Sequence, residues 1–471
     1  MGSSLIIRIL KLLLLVAGLS LWAGCESGEE SVAVSKSPVG PVPAAQQRPG
    51  DPRAGYEALV NNAYVSCGIP YSAYLEFADP PAPESLLADR KGRNATLPYA
   101  LTFHVTAEGV ELVTSNCLTC HAEYFDGKLI IGLGNESRDF TGDLSAFVES
   151  VGAYVQGEGE AKEWQKWADR WNAIAPYVRT ETRGVNAADN LTLALFAHRD
   201  PETLEWSNEP LMEPPSKHPL PVSVPPWWRM SKKHAMFYHG GGRGDHAPWM
   251  MTASTLCTDS VKEAKQIDSY FPDVQAFIYS LEPPEYPFDI DAALAEKGQP
   301  VFERSCGGCH GTYGSAPSYP NLIVALEEVG TDPELARSAT RNEDRFIRWF
   351  NRSFYGQRAQ AAPAPGYYAP PLDGVWATAP YLHNGSVPTI EALLDSGSRP
   401  QKWARSFDST DYDPKALGWR YTEPTAEPQD WEEKKRIYDT SRLGYSNQGH
   451  TYGDALTPDE RRAVVEYLKT L

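Results

Sequence analysis

The residues with the clearest chemistry are cysteines and histidines in the pattern Cys-x-x-Cys-His, which occurs twice. The two copies comprise Cys117, Cys120 and His121, and Cys306, Cys309 and His310. Two thiols at this spacing add to the vinyl groups of one porphyrin, and the histidine that follows binds the iron from the proximal side. A single copy would also fit a redox dithiol or half of a zinc site. Two copies in an exported chain favour covalent haem, so we predict two haem c groups.

The first 25 residues have the composition of a secretory signal. Arg8 and Lys11 give a positive start, residues 12–21 are apolar, and small residues precede Cys25. This ending resembles a bacterial lipobox, with a tryptophan where leucine is usual, and predicts a lipoprotein-type signal peptide at residues 1–25 with lipidation at Cys25. The alternative is an ordinary cleaved signal in which Cys25 is incidental. In both cases we expect export to the periplasmic side.

The composition limits what the protein binds. A formal net charge of −18 argues against nucleic acid and anionic lipid surfaces as partners. No segment after the signal reaches the roughly 20 apolar residues that span a bilayer. We therefore expect no nucleic-acid partner, and membrane contact only through a lipid anchor.

At 471 residues the chain is long enough to bury two cores. Residues 26–54 have no periodic apolar pattern and predict a flexible linker. The pair Pro283-Pro284 marks a boundary. We predict an N-terminal haem domain with a loop-rich extension at residues 55–285, and a C-terminal haem domain at residues 286–471.

Apolar spacing predicts one helix before each haem motif and another at the end of each domain. The leading helices start near Tyr56 and Ile290, and the closing ones lie near residues 274–281 and 458–471. Thr457 and the residues after it form a capping box at the start of the last helix. Two helices that cross beside a haem are the plan of a cytochrome c. We therefore predict a mainly α protein of two cytochrome c-like haem domains with long loops, preceded by the signal peptide and the flexible tether.

The sixth ligand decides whether a haem iron carries electrons or binds a small oxidant. None of the six methionines follows the second haem motif, so the histidines left for that iron are His383 and His450. We expect bis-His coordination there if the iron is six-coordinate. No histidine follows His121 within a turn or two of helix, so we expect either an open distal site or a distant ligand at the first haem. The distant candidates are the methionines and His104, His198, His218, His234, His239 and His246.

Two cysteines, Cys67 and Cys257, remain after the haem and anchor cysteines are assigned. An oxidising compartment favours a disulfide between them. Two buried free thiols are the alternative. Both readings stay open, because the sequence does not give the distance between the two residues.

Several segments resemble known di-haem cytochromes. Residues 369–389, which contain His383-Asn384-Gly385, are similar to the C-terminal haem domain of the bacterial di-haem cytochrome c peroxidase superfamily. That superfamily includes the di-haem enzyme that matures tryptophan tryptophylquinone and the di-haem rubber oxygenases. Residues 281–288, 311–313 and 446–453 resemble the rubber-oxygenase-like branch most closely.

The resemblance implies roles for the histidines. His121 and His310 would be proximal ligands. His450 would be the distal ligand of the second haem, and His383 is the second choice for that role. The displaceable histidine found shortly after the first haem in many of the peroxidases is absent from this sequence.

The resemblance also implies an electron relay at Trp228 between the haems, and a calcium ion held at Thr378 and Pro380. It implies an oxidoreductase that uses peroxide or dioxygen at an open N-terminal haem, with His121 and Trp228 in the catalytic machinery. The C-terminal bis-His haem would then be the electron store. The alternative is a non-catalytic, membrane-tethered two-haem electron carrier. The expected partner is a small oxidant or a redox protein such as a small cytochrome or a cupredoxin.

Overall fold

The computed structural model describes residues 40–341, 343–363 and 365–471. The predicted signal peptide, including Cys25, lies outside the described residues. The α-helices are Pro52–Asn61, Tyr71–Phe77, Leu118–His121, Leu144–Gly152, Glu158–Ile174, Ala188–Ala197, His246–Met250, Val261–Asp268, Phe271–Tyr279, Ala292–Ser305, Gly307–His310, Leu326–Val329, Glu334–Arg341, Arg348–Arg352, Ile390–Leu394, Trp431–Lys434 and Pro458–Leu468. The strands are Gly40–Pro41, Ile69–Pro70, Leu101–Val105, Glu111–Ser115, Ala122–Phe125, Lys128–Ile131, Gly242–Gly244, Leu322–Ala325, Ala359–Ala361, Gly366–Tyr368, Lys402–Ala404, Tyr412–Asp413, Gly418–Trp419 and Ile437–Asp439.

The prediction of a mainly α protein is wrong. About 40% of the residues are helical and 13% lie in strands. The strands pair into several small sheets of two or three strands each. Strands this short leave no alternating apolar pattern that can be read from the sequence, which is why the sheets were not expected.

The leading and closing helices around the second haem motif cross at a glycine. Ala292–Ser305 packs against Pro458–Leu468, and a Cβ atom at Gly298 would overlap the backbone carbonyl of Ala463. Phe302 and Tyr467 fill the space beside the crossing, with ring centroids 5.3 Å apart. The predicted capping box at the start of the closing helix is present.

The helices around the first haem motif repeat this arrangement. Pro52–Asn61 packs against Phe271–Tyr279, and a Cβ atom at Gly55 would overlap the backbone carbonyl of Asp273. The rings of Tyr56 and Phe277 lie 5.2 Å apart beside the crossing. A glycine at each crossing lets two helix backbones approach closely, because it has no side chain.

Strands from the two sides of the predicted domain boundary share sheets. Leu322–Ala325 lies between Gly40–Pro41 and Gly366–Tyr368, and Gly242–Gly244 pairs with Ala359–Ala361. The described residues accordingly belong to one compact unit. The division near residue 285 remains a prediction about the two haem-binding halves.

Residues 40–51 fall inside the predicted flexible linker, but they pack against the rest of the protein. Val42 is buried and donates a backbone hydrogen bond to the Asn321 carbonyl at 2.8 Å. Arg48 forms a bidentate pair with Asp268, with distances of 2.7 and 2.9 Å. The segment is held by long-range hydrogen bonds rather than by a periodic apolar face, so composition alone could not reveal its order.

Cys67 and Cys257 form a disulfide with Cα atoms 5.4 Å apart. This decides between the two readings that the sequence left open. The bridge lies in an apolar cluster with Val148, Ile174 and Leu195. Within the described ranges, no helix combines the length and the apolar character that a membrane crossing requires.

Candidate haem sites

The second Cys-x-x-Cys-His motif opens onto a cavity of about 300 Å³. Helix Ala292–Ser305 ends at Cys306, whose amide donates to the Phe302 carbonyl, and the short helix Gly307–His310 follows at once. This turn brings both thiols and the imidazole to one wall of the cavity. Much of the remaining wall is apolar, and it includes Phe302, Val375, Ile390, Leu394, Val464 and Leu468. The thiols, the imidazole and the apolar walls fit a covalently bound haem.

His450 faces His310 across this cavity. Their ring centroids are 6.1 Å apart, and both residues line the space. A metal ion held between two imidazoles sets the ring centroids roughly 6 Å apart, because each metal–nitrogen bond is about 2 Å. The Nδ1 atom of His310 lies 2.8 Å from the Pro370 carbonyl, which orients its other nitrogen toward the cavity. At this separation both imidazoles could hold one haem iron.

The backbone around His450 is fixed from several sides. His450 has a φ of 47°, in the left-handed region that side chains rarely adopt, and its amide donates to the Val329 carbonyl at 2.7 Å. A Cβ atom at the preceding Gly449 would overlap the backbone of Gly330. The guanidinium of Arg399 donates to the carbonyls of Asn447, Gly449 and His450, at 2.6, 2.7 and 3.1 Å. A residue in such a strained conformation must be held by its surroundings.

His383 lies in the wall of the same cavity, but its ring is engaged by a tyrosine. It stacks on Tyr367 with ring centroids 4.1 Å apart and 21° between the planes. Among the described residues, the histidine in ring contact with His310 is His450. Burial lowers the pKa of His383 to about 3, so its ring is neutral at neutral pH. This position suits a residue that supports the cavity wall better than one that binds the iron.

The side chains at Thr378 and Pro380 do not fit the calcium ion that the resemblance implied. The guanidinium of the buried Arg229 lies 3.5 Å from the Thr378 hydroxyl and would repel a second cation. The intervening Ala379 carbonyl already accepts a hydrogen bond from the Trp419 indole at 2.8 Å. Within the described residues, no group of three or more His, Cys, Asp or Glu side chains could hold a metal ion.

The first Cys-x-x-Cys-His motif is built by a similar local structure. The Asn116 side chain accepts from the amide of Leu118 at 2.9 Å and starts the short helix Leu118–His121. The Asn186 amide donates to the Cys120 sulfur at 3.4 Å. Burial lowers the pKa of His121 to about 4, and the nearby Pro225 carbonyl offsets part of that effect. A neutral imidazole is the form that binds iron.

His121 is covered by the first of two adjacent tryptophans. The Trp227 indole stacks on the imidazole with ring centroids 4.7 Å apart and 21° between the planes. Trp227 belongs to the apolar cluster that contains Cys117, whereas Trp228 belongs to the cluster that contains Cys306. The Trp228 indole donates to the Asp373 carbonyl at 2.8 Å. The two adjacent tryptophans therefore connect the apolar cluster around the first motif with the cluster around the second.

Five of the six histidines proposed as distal ligands of the first haem contact other groups. Among the described residues, none of their rings contacts His121, whose ring contact is with Trp227. His218 is exposed on a loop. The others contact neighbouring groups: His104 the Ser66 carbonyl, His198 the Trp206 ring, His234 the Val42 carbonyl, His239 the Gly241 amide and His246 the Tyr279 hydroxyl. Two methionines, Met230 and Met250, pack against the cluster that contains Cys117.

Three functional candidates were missed by the sequence reasoning: Trp227, Arg399 and the carbonyl of Pro370. One signal could have pointed to part of this set. Two of the five Pro-Pro pairs in the sequence, Pro225-Pro226 and Pro370-Pro371, have a first carbonyl that lies beside a motif histidine. No sequence pattern pointed to Arg399, because its hydrogen bonds go to backbone carbonyls, which any residue could supply.

Comparison with known proteins finds a family model that matches part of this chain. Residues 366–404, which include His383 and Arg399, match the family model described as RoxA-like, cytochrome c-like. This match supports a relationship to RoxA-like di-haem cytochromes, but it does not support the assignment to the peroxidase superfamily. It implies haem c binding, and a haem-based electron-transfer or oxidoreductase function in general.

Two relatives from Sinorhizobium fredii (strain NBRC 101917 / NGR234) are similar to parts of this chain. Uncharacterized protein y4iJ is 32% identical over 286 residues, which are 46% of this chain and 46% of the relative. Uncharacterized protein y4iM is 30% identical over 297 residues, which are 53% of this chain and 64% of the relative. The matches span about half of the first relative and less than two thirds of the second, and neither name states an activity.

Proposed function

We propose that this protein is an exported di-haem c-type cytochrome and an oxidoreductase that uses peroxide or dioxygen at the first motif and holds an electron at the second. The observation that carries this proposal is the difference between the two motif histidines. His310 has an imidazole partner at a ring separation of 6.1 Å, whereas the aromatic contact of His121 is with an indole. A haem iron with an open position can bind a small oxidant, whereas one with two strong ligands transfers electrons.

The residues of the second site would fix a bis-His arrangement. The Pro370 carbonyl orients His310, and Arg399 together with the Val329 carbonyl holds the backbone of His450. Burial is the main cause that lowers the pKa of His450 to about 3, and His310 and Arg399 add to it. Both imidazoles are therefore neutral at neutral pH, with nitrogen lone pairs available to a metal.

The two adjacent tryptophans would carry electrons between the sites. Trp227 stacks on His121, and Trp228 packs in the cluster of the second motif, so the sequence neighbours span the gap between the two haem surroundings. This extends the relay role expected for Trp228 to a pair of residues. The flat, buried indoles suit the task because each is a large aromatic group packed into the apolar cluster of one motif.

The export, the anchor and the partner belong to the same proposal. The chain would be a lipoprotein on the periplasmic side, tethered through Cys25, and its redox partner would be a small cytochrome or a cupredoxin. The disulfide between Cys67 and Cys257 supports an oxidising compartment. Calcium is not part of the proposal, because the side chains at the expected site do not fit it.

A second candidate function is a non-catalytic electron carrier with two six-coordinate haems. The observation that favours it is the packing of Met230 and Met250 against the cluster that contains Cys117. A thioether is a common sixth ligand in electron-transfer cytochromes. Replacing each methionine by leucine, which keeps the packing volume, would reveal such a ligand as a change in the spectrum of the first haem.

The test is electronic and EPR spectroscopy of the purified holoprotein with and without cyanide. We expect two covalently bound haems, one high-spin ferric signal that shifts with cyanide and one low-spin signal that does not. His450→Ala should convert the low-spin signal to high-spin, whereas the matched variant His383→Ala should leave it low-spin. Two low-spin, cyanide-indifferent haems would rule out the enzyme, and a single haem would rule out both candidate functions.

A further inference from the structure

A second cavity, of about 120 Å³, lies apart from the residues that would hold the haems. Part of its lining is an aromatic wall, which consists of Phe196, Phe237, Trp249, Phe346 and Phe350. An apolar cavity of about 150 Å³ is known to hold one benzene molecule. The space in this protein is smaller than that, so a single ring is the largest aromatic group that it would take.

The aromatic wall is organised by its own packing. The rings of Trp249 and Phe350 stack with centroids 3.6 Å apart and only 5° between the planes. Phe237 meets Trp249 edge to face at 5.2 Å. The Trp249 indole nitrogen donates to the Arg243 carbonyl at 3.0 Å, which fixes the orientation of the ring. A ligand would meet ring faces and edges that are already in place, so binding would cost little ordering of side chains.

One side chain in the lining carries a charge that nothing in the described structure balances. Asp189 lies in the first turn of helix Ala188–Ala197 and lines the cavity. Among the described residues it has neither a hydrogen bond nor an ion pair. Burial raises the pKa of Asp189 to about 6, so its carboxyl is ionised above that pH. Asp189 is partly exposed, and an ammonium group in the cavity would give its carboxylate a direct, charge-assisted partner.

The lining also contains a histidine, His239, which stays neutral. His239 accepts a hydrogen bond at Nδ1 from the Gly241 amide at 3.1 Å. Burial lowers the pKa of His239 to about 4, and the positive charge of Arg243 adds to this effect. The lining therefore presents one negative charge, at Asp189, to a ligand at neutral pH.

We propose that this cavity is a binding site for a small organic cation with one ring, a primary amine of the benzylammonium class. The ammonium group would pair with the Asp189 carboxylate, and the ring would pack among Phe237, Trp249 and Phe350. Aromatic faces also attract cations through their negative quadrupole, which adds to the ion pair. The site needs no redox step, so it goes beyond the proposed function and does not depend on it.

The test is isothermal titration calorimetry of the holoprotein at pH 7.5 with benzylammonium chloride, benzyl alcohol and sodium benzoate. We expect one benzylammonium per chain and no binding of benzoate, because the carboxylates repel one another. A charge-assisted hydrogen bond should make benzylammonium bind at least about tenfold tighter than benzyl alcohol. Asp189→Asn should remove this preference and leave the affinity for benzyl alcohol within about threefold.

Two further variants make the result decisive. Glu149→Gln removes an exposed carboxylate elsewhere and should bind benzylammonium like the wild type. Ala339→Leu fills part of the cavity and should weaken both benzylammonium and benzyl alcohol. The haem absorption spectrum and the melting temperature report whether each variant folds. Absence of benzylammonium binding, or equal binding by wild type and Asp189→Asn, would overturn the proposal, and neither result bears on the haem spectra.

Discussion

Arg399 donates a hydrogen bond to the backbone carbonyl of His450 at 3.1 Å. The same guanidinium holds the carbonyls of Asn447 and Gly449 just before it, and those of Ala392 and Leu393 on the other side. One half-buried cation thus ties the segment that carries His450 to the helix Ile390–Leu394. Since His450 has a positive φ, its imidazole depends on these backbone contacts for its position.

Replacing Arg399 by alanine should loosen His450 without removing its side chain. The expected result is partial conversion of the low-spin signal of the second haem to high-spin, together with a loss of roughly 1–3 kcal/mol of stability because several backbone carbonyls lose their donor. EPR and a urea titration measure the two effects. Arg462→Ala, at an exposed site, is the control and should change neither. An unchanged low-spin signal in Arg399→Ala would mean that His450 is held by other contacts.

The stack between Trp227 and His121 predicts different effects for two substitutions. Trp227→Ala should cost about 3–5 kcal/mol of stability, because it removes a large buried side chain. Trp227→Phe should cost less and still change the iron–histidine stretch of the first haem in resonance Raman spectra, because the ring that packs on the imidazole is smaller. Trp228→Phe, in the other cluster, should leave that stretch unchanged. If both phenylalanine variants behave alike, the stack has no special effect on His121.

Glu136 should make the protein less stable as the pH rises. Its side chain accepts from the Ser223 hydroxyl at 2.8 Å and the Val224 amide at 2.6 Å. Burial raises its pKa from 4.5 to about 8, so the unfolded chain releases this proton first. Between pH 4.5 and about pH 8, Glu136 is ionised in the unfolded chain but protonated in the folded one. In this range each pH unit therefore lowers the unfolding free energy by up to about 1.4 kcal/mol.

The measurement is the unfolding free energy from urea titrations between pH 5 and pH 8. Glu136→Gln keeps an oxygen that can accept both hydrogen bonds, so its stability should fall less with pH than that of the wild type. Glu149→Gln, which removes an exposed carboxyl, should follow the wild type. Parallel curves for wild type and Glu136→Gln would show that Glu136 is ionised in the folded protein.

Removing the disulfide should destabilise the protein without affecting the haem spectra. Cys67 and Cys257 are 190 positions apart in the sequence, so the bridge closes a long loop in the unfolded chain. The double variant Cys67→Ala, Cys257→Ala should lose roughly 2–5 kcal/mol. Thermal unfolding with and without a reductant measures this loss. The reductant should lower the melting temperature of the wild type and leave that of the double variant unchanged. If it lowers the melting temperature of both proteins, the effect of the reductant does not come from this disulfide.

The helices that flank the two haem motifs could be predicted because helix signals are local. The closing helix was visible from Thr457 and its capping box, and Val274 and Ile278 marked the helix Phe271–Tyr279. The small sheets could not be predicted in the same way. Strands such as Gly242–Gly244 exist through pairing with a segment more than a hundred residues away, and three residues carry no period.

The sequence by itself determined the haem-attachment chemistry, because two thiols and an imidazole must be close along the chain to bind one porphyrin. It also limited the partner of His310 to His383 or His450, since no methionine follows the second motif. Only the tertiary structure favours His450 over His383 as that partner. His450 reaches the cavity through a positive φ and the carbonyl contacts of Arg399, and His383 turns to Tyr367. Such choices rest on long-range packing, which local sequence patterns do not encode.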